Sequence, residues 1–331
     1  MPPVVCLGAG RMGRGIAVAF AYAGQEVVLV DVKPRAAAVF AELAAAALGE
    51  TRDTLHSLAA AGLFDPAHAA AIAARVRVLP REEAGAALAA AELIFEGVPE
   101  IPELKREILA WASAQAAPGA IIASTTSTIL VDDIAGAVAG PERFLNAHWL
   151  NPAYLIPLVE ISPGARTDPA VLARLRGMLT EIGKKPIVCA ASPGYIVPRI
   201  QALAMNEAAR MLGEGVASAE DLDAAIRYGF GLRFAVLGLI EFIDWGGGDI
   251  LHHASRYLTE TLGDPRYAAP AVIGENMANG RVGLRSGRGF YDYAGVDVDA
   301  YRQQRLGEFV GLLRHLGLAR EPMLGGEGVE E

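Results

Sequence analysis

Residues 147–160, AHWLNPAYLIPLVE, carry three polar side chains, His148, Asn151 and Glu160, in an otherwise apolar stretch. Buried polar groups need hydrogen-bond partners, and the simplest arrangement lets these three partner one another or a substrate. Histidine ionises near neutral pH, so it can take or give a proton there. A carboxylate on the other ring nitrogen fixes the tautomer and stabilises the imidazolium that forms. His148 is therefore the suspected catalytic centre, with Glu160 and Asn151 as its candidate hydrogen-bond partners. The same residues also suit a buried structural pair. His56, His68, His252, His253 and His315 lack such company and read as surface or packing residues.

The start of the chain has the pattern of a dinucleotide site. Residues 3–8 (PVVCLG) read as a short buried strand, followed at once by Gly8, Gly10, Arg11, Met12 and Gly13 in the motif GAGRMG, then by an apolar helical run over 16–22. A second strand, 26–30, ends in Asp31. GxGxxG carries meaning in this strand–turn–helix setting: Gly8 permits the tight turn, Gly10 lets backbone approach a pyrophosphate, and Gly13 lets helix and strand pack closely. Asp31 falls where a carboxylate binds the ribose hydroxyls and disfavours a 2′-phosphate, which selects NAD over NADP, although Lys33 and Arg35 follow closely. A glycine-rich turn without cofactor is the alternative.

Downstream, Ala-rich sequence over 36–74 with breaks at Gly62 and Pro66 predicts two or three inserted helices, with Asp65-Pro66 as a helix start. Strands are expected at 76–79, 92–96, 120–123 and 186–189, with a helix from Glu103. This alternation implies an α/β, Rossmann-type, doubly wound parallel sheet. Ligands bind at the C-terminal ends of such strands, where Val98-Pro99-Glu100 and the hydroxyl run 124–128 fall. The hydroxyl run can equally cap a helix near Val131. Ser192-Pro193-Gly194 marks the boundary between a nucleotide domain, 1–190, and an all-α domain, 191–322. Its helices are expected at 199–212, 218–226 (opened by Ser218-x-x-Asp221), 250–262 and 270–277. The tail 323–331 reads as disordered.

The chain has 331 residues, enough for two domains, and 53% hydrophobic content. Its formal charge, 29 − 38 = −9, repels phosphate backbones and excludes nucleic acid as a partner. The N-terminus lacks the basic start of a signal peptide, and charges such as Glu42, Arg52 and Glu96 interrupt every apolar run that could span a membrane. Cys6 and Cys189 have no metal-ligand spacing and suit reduced thiols, so a soluble cytoplasmic protein without a metal is expected.

Taken together, GAGRMG, VPE with Leu104-Lys105, Ser127, HWLNP, PLVE, PGYIVPR and GVASAEDLDAAIRYGFG resemble the L-3-hydroxyacyl-CoA dehydrogenase family over nearly the whole chain. The resemblance implies NAD-dependent oxidation of a 3-hydroxy group, with a 3-hydroxybutyryl-CoA type of substrate and a homodimer formed through the helical domain. It also implies His148 as base with Glu160 as its partner, Ser127 and Asn151 as substrate-orienting residues, and Glu100 and Lys105 along the nicotinamide half of the cofactor.

Two features depart from the family pattern. Pro198 stands where an asparagine is common, leaving Asn206, two turns on, as the nearest substitute. Arg233, in GLRFA, looks more like the relatives acting on free hydroxy acids, such as gulonate and carnitine dehydrogenases. A guanidinium can hold a carboxylate through two parallel hydrogen bonds, or simply pair with a surface acid. The insertion over 44–74 offers only Arg52 to the phosphates of a CoA. A free 3-hydroxy acid is therefore the rival substrate, and a nucleotide-binding protein without turnover is a third reading.

Overall fold

The structure, a computed structural model, describes residues 2–322, so the expected disordered tail lies outside the described residues. By its internal contacts the chain divides into two compact units, one ending at Met205 and the other beginning at Asn206.

The first unit contains β1 (Val4–Leu7), α1 (Arg11–Tyr22), β2 (Val27–Asp31), α2 (Ala37–Ala60), α3 (Ala69–Ala73), β3 (Val76–Pro80), α4 (Gly85–Ala90) and β4 (Leu93–Glu96). It continues with α5 (Pro102–Gln115), β5 (Ile121–Ser124), α6 (Val131–Ala135), β6 (Phe144–Trp149), β7 (Leu158–Pro163), α7 (Pro169–Glu181), β8 (Lys185–Val188) and the start of α8 (Val197–Gly213). The strands form one eight-stranded sheet in the order β3-β2-β1-β4-β5-β6-β7-β8. β1, β2, β4 and β5 are buried along their whole length, as continuous apolar runs covered on both faces must be. Successive side chains point to opposite faces. Leu29, Phe95 and Leu145 join Ile16, Phe20 and Trp149 in one core layer. Val28, Ile94 and Phe144 join Ile108 and Leu109 in the other.

The sheet is mixed, which corrects the expectation of a parallel one: β6 and β7 run antiparallel, and every other pair is parallel. Only residues 150–157 join β6 to β7. A parallel return needs a crossover of a dozen residues or more, so the chain turns back on itself. The Asn151–Pro152 peptide within that turn is cis. The insertion after β2 is a 24-residue helix, a 3₁₀ turn and the short α3. The Asp65 carboxylate opens the 3₁₀ turn by accepting from the Ala67 N–H at 2.9 Å.

The second unit continues α8 and adds α9 (Ala219–Ala225), a π-helical turn (Ile226–Gly231), α10 (Leu232–Val236), α11 (Leu239–Gly246), α12 (Gly248–Leu262), α13 (Ala271–Ala278) and α14 (Val298–His315). Ser218 caps α9 through the Asp221 N–H at 3.0 Å. Buried Asp244 on α11 gathers the Phe290 N–H, the Tyr291 N–H and the Tyr293 hydroxyl at 2.8–3.2 Å, which pins the 289–293 loop. Among the described residues no helix is long and apolar enough to cross a membrane.

Candidate active site

The glycine turn is shaped by contact. Gly8 has φ +108°, and a side chain at Gly13 would come within 2.1 Å of the Gly8 carbonyl oxygen, so neither position tolerates a Cβ easily. Gly10 faces open space, with nothing within 4 Å of where its Cβ would lie. The N-terminus of α1 thus presents bare backbone to a cavity of about 570 Å³ that runs from the glycine turn past Asp31 to His148. These features fit a dinucleotide: a tight turn, an open helix N-terminus for the pyrophosphate and an acid at the end of β2. Arg11 and Met12 line the cavity as expected, as do Glu100, Lys105 and Ser127. Asp31 is buried and carries an ion pair to Arg35, four residues on in the irregular segment between β2 and α2.

Antiparallel pairing explains the spacing between His148 and Glu160. Residues 148 and 160 are direct partners in the β6–β7 register, on one face of the sheet. The His148 Nδ1–H donates to Glu160 Oε2 at 2.8 Å, leaving Nε2 as the nitrogen with a free lone pair. Glu160, with no exposed surface, accepts at Oε1 from the Ile196 and Val197 N–H groups, each at 2.9 Å. These donors belong to the N-terminus of α8, where the helix dipole favours a negative charge. Pro198 fits this first turn, because an N–H there has no partner within the helix.

A second carboxylate organises the loops beyond β4 and β5. Glu96, at the end of β4 and fully buried, accepts from Lys105 Nζ (2.9 and 3.1 Å), Ser124 Oγ (2.6 Å) and the Val98 N–H (2.7 Å). Lys105 also donates to the Val98 carbonyl at 3.1 Å, so its ammonium, expected to face the cofactor, is largely spent on this hub. Glu100 accepts from the Ser127 N–H (2.6 Å), the Ser127 hydroxyl (3.1 Å) and the Thr126 hydroxyl (2.8 Å), with Lys105 at 3.6 Å. Burial alone would raise its pKa, but the Ser127 N–H, Lys105 and the two hydroxyls together hold it below the usual carboxylate range. The ionised hold on Ser127 therefore persists through neutral pH and is lost only on strong acidification, as pH falls through that lowered value. The hydroxyl run does not cap α6, whose N-cap Leu130 makes no side-chain bond. Thr126 Oγ1 instead accepts from the Thr128 and Ile129 N–H groups, at 3.3 and 3.0 Å.

Asn151 is exposed in the β6–β7 turn and lines a separate cavity of about 220 Å³ with Arg11, Arg14 and Glu50. A further groove of about 430 Å³ along α2 is lined by Glu50, Asp53, Thr54, Ser57, Tyr154 and Leu155. In the second unit, Asn206 is exposed on α8. Arg233 follows the π-helical turn, lies over the Phe242 ring at 5.6 Å and makes no ion pair among the described residues. Cys6 and Cys189 are both free thiols; burial pushes Cys6 up to about 12 and also raises Cys189, which is near the negative Glu160. No group of three side chains suited to a metal occurs among the described residues.

Glu96, Asn146 and Tyr195 were not singled out from the sequence. Glu96 had a signal of the same kind as His148, a charged residue inside the apolar strand LIFE.

Comparison with known proteins agrees with this geometry. Residues 3–192 match the NAD-binding domain of 3-hydroxyacyl-CoA dehydrogenase, and residues 194–293 match its C-terminal domain. The chain belongs to the 3-hydroxyacyl-CoA dehydrogenase family and is an oxidoreductase acting on a CH–OH group with an NAD-binding domain. It is 30% identical over 314 residues to the 5-formyl-3-hydroxy-2-methylpyridine 4-carboxylate 5-dehydrogenase of Mesorhizobium japonicum, covering 95% of this chain and 97% of that one. It is 33% identical over 291 residues to the 3-hydroxybutyryl-CoA dehydrogenase of Bradyrhizobium diazoefficiens, covering 88% and 94%. The crystal structure of a 3-hydroxyacyl-CoA dehydrogenase from Archaeoglobus fulgidus superimposes with a TM-score of 0.74 at 33% identity, covering 96% of this chain and all of that one.

Proposed function

We propose that the protein oxidises the 3-hydroxy group of a short L-3-hydroxyacyl-CoA, of the 3-hydroxybutyryl-CoA type, to the 3-keto product. The observation that carries this reading is the His148–Glu160 pair at the end of the cavity that begins at the glycine turn. His148 Nε2 takes the hydroxyl proton, and the imidazolium so formed is countered by Glu160, itself held by two backbone N–H groups. NAD, when bound, supplies the acceptor for the hydride leaving C3. Ser127 orients the substrate oxygen by turning its hydroxyl from Glu100 toward it, and Asn151 can join it only if the 150–157 turn swings its amide out of the separate cavity it lines. Glu100 and Lys105 lie along the nicotinamide half, and Asp31 holds the adenosine ribose. The protein acts in the cytoplasm as a homodimer, a reading supported by its free thiols and by apolar side chains left exposed on the second unit.

A specific observation favours a second reading, a free 3-hydroxy acid or related small carboxylate. The groove along α2 has no cation among its lining residues to receive the phosphates of a CoA; it carries Asp53 and a Glu50 already paired with Arg14 at 2.7 Å. Arg233 has no ion-pair partner among the described residues and is free to take a carboxylate, with Asn206 as a weaker contact. A substrate panel tests both: acetoacetyl-CoA with NADH against free 3-hydroxy acids with NAD, followed by the absorbance of reduced nicotinamide. Turnover of the thioester alone supports the first reading, and turnover of the acids alone, lowered by Arg233→Leu, supports the second. No turnover of either class would contradict both.

A further inference from the structure

We infer that Tyr195 is the positioning residue that fixes the plane of the His148 imidazole and ties it to the loop carrying Ser127. The inference rests on His148 being the base, as proposed above. Tyr195 has φ +47°, the left-handed region that side chains other than glycine rarely adopt, and it is the sole non-glycine residue among those described with positive φ. Such a conformation persists only where its surroundings over-determine it, and it is frequently found at functional sites.

The surroundings of Tyr195 account for each part of it. Its ring lies nearly parallel to the imidazole, at 10° and with centroids 4.9 Å apart. Its hydroxyl donates to the Thr126 carbonyl at 2.8 Å and accepts from Asn146 Nδ2 at 3.1 Å. Thr126 precedes Ser127 in the chain, and Asn146 stands two residues before His148 on β6, on the same face of the strand. The next two residues, Ile196 and Val197, are the ones whose N–H groups hold Glu160. Three consecutive residues thus brace both members of the dyad, the first through its ring and the others through backbone.

The physical need is clear from the dyad alone. The Cβ–Cγ bond and the Nδ1 hydrogen bond to Glu160 anchor one side of the imidazole, but small coupled changes in the two side-chain torsions still tilt the ring and displace Nε2, the atom farthest from both anchors. A flat face in contact with the ring removes that freedom. The hydroxyl bridge then holds the stacked pair at a set distance from the loop after β5, so that the base and Ser127 approach one oxygen from fixed positions. The tyrosine face also stabilises the imidazolium when it forms.

The test compares Tyr195→Asn, Tyr195→Phe and His148→Ala in the full-length protein, using whichever substrate the panel identifies. Asparagine tolerates left-handed backbone, so it removes the ring at little backbone cost. Tyr195→Asn should lower kcat about 10²-fold, with NADH affinity changed less than about twofold and a larger primary deuterium isotope effect from C3-deuterated substrate. Tyr195→Phe, which keeps the stack and loses the bridge, should recover most of that rate, falling about 3–10-fold below wild type. Equal rates for the two variants, or wild-type kcat and isotope effect in both, would overturn the inference. Should Tyr195→Asn fail to fold, wild-type kcat and isotope effect in Tyr195→Phe alone would overturn it. His148→Ala separates the two levels: if it also turns over normally, the base assignment has failed, whereas a dead His148→Ala beside unaffected Tyr195 variants removes only the role of Tyr195.

Discussion

The two units use their side chains differently. In the first, both faces of the sheet are covered and its buried charges are answered within the chain: Glu96 by Lys105, Glu160 by His148 and two N–H groups, and Arg143 by the backbone carbonyls of Ser113 and Ala139. In the second, α9, α10 and α14 contain no fully buried side chain, and Tyr257 and Ile250 on α12 remain 65% and 60% exposed; within the first unit such exposure is greatest at its very end, at Leu203 and Met205 of α8. A unit that satisfies itself can hold reacting groups rigidly. A unit that leaves large apolar side chains in water has surface to spend on another chain, which is where the homodimer is proposed to form.

The strongest way to break this contrast is at Glu96. Glu96→Ala removes the nearer of the two carboxylates that face the buried Lys105 ammonium and leaves only Glu100 at 3.6 Å, so a loss of about 3 kcal/mol in folding stability is expected from denaturant unfolding. The double change Glu96→Gln with Lys105→Met should restore most of it. If Glu96→Ala were neutral, the first unit would not depend on its internal ion pairs. A smaller effect is expected in the second unit. Replacing Ile250 and Tyr257 by glutamate should change folding stability by no more than about 0.5 kcal/mol each, as for other exposed positions, while shifting the protein from dimer to monomer in light scattering. A wild-type dimer in that double variant would move the proposed interface elsewhere.

How far the sequence led is clearest at particular residues. The glycine turn was legible because each glycine answers a steric need, and Gly13 against the Gly8 carbonyl is the need made visible. The pairing of His148 with Glu160 was legible as two polar groups in an apolar stretch. Its geometry followed from the short turn over 150–157, which also forces the antiparallel strand that a purely alternating reading overlooks. Glu96 could have been found by the same reasoning. Tyr195 could not, because the left-handed backbone that brings its ring onto His148 is imposed by tertiary contacts and leaves no mark in residue type. The Arg35 contact with Asp31 was visible as proximity in sequence but not as an ion pair.

The proposed role of His148 is that of the base in an alcohol oxidation at the end of a nucleotide cavity. It is tested most directly by measuring kcat and NADH affinity in His148→Ala. A loss of roughly 10²–10⁴-fold in kcat, with NADH binding little changed, is the expected result. Wild-type turnover in that variant, with the protein folded and NADH bound, would contradict it.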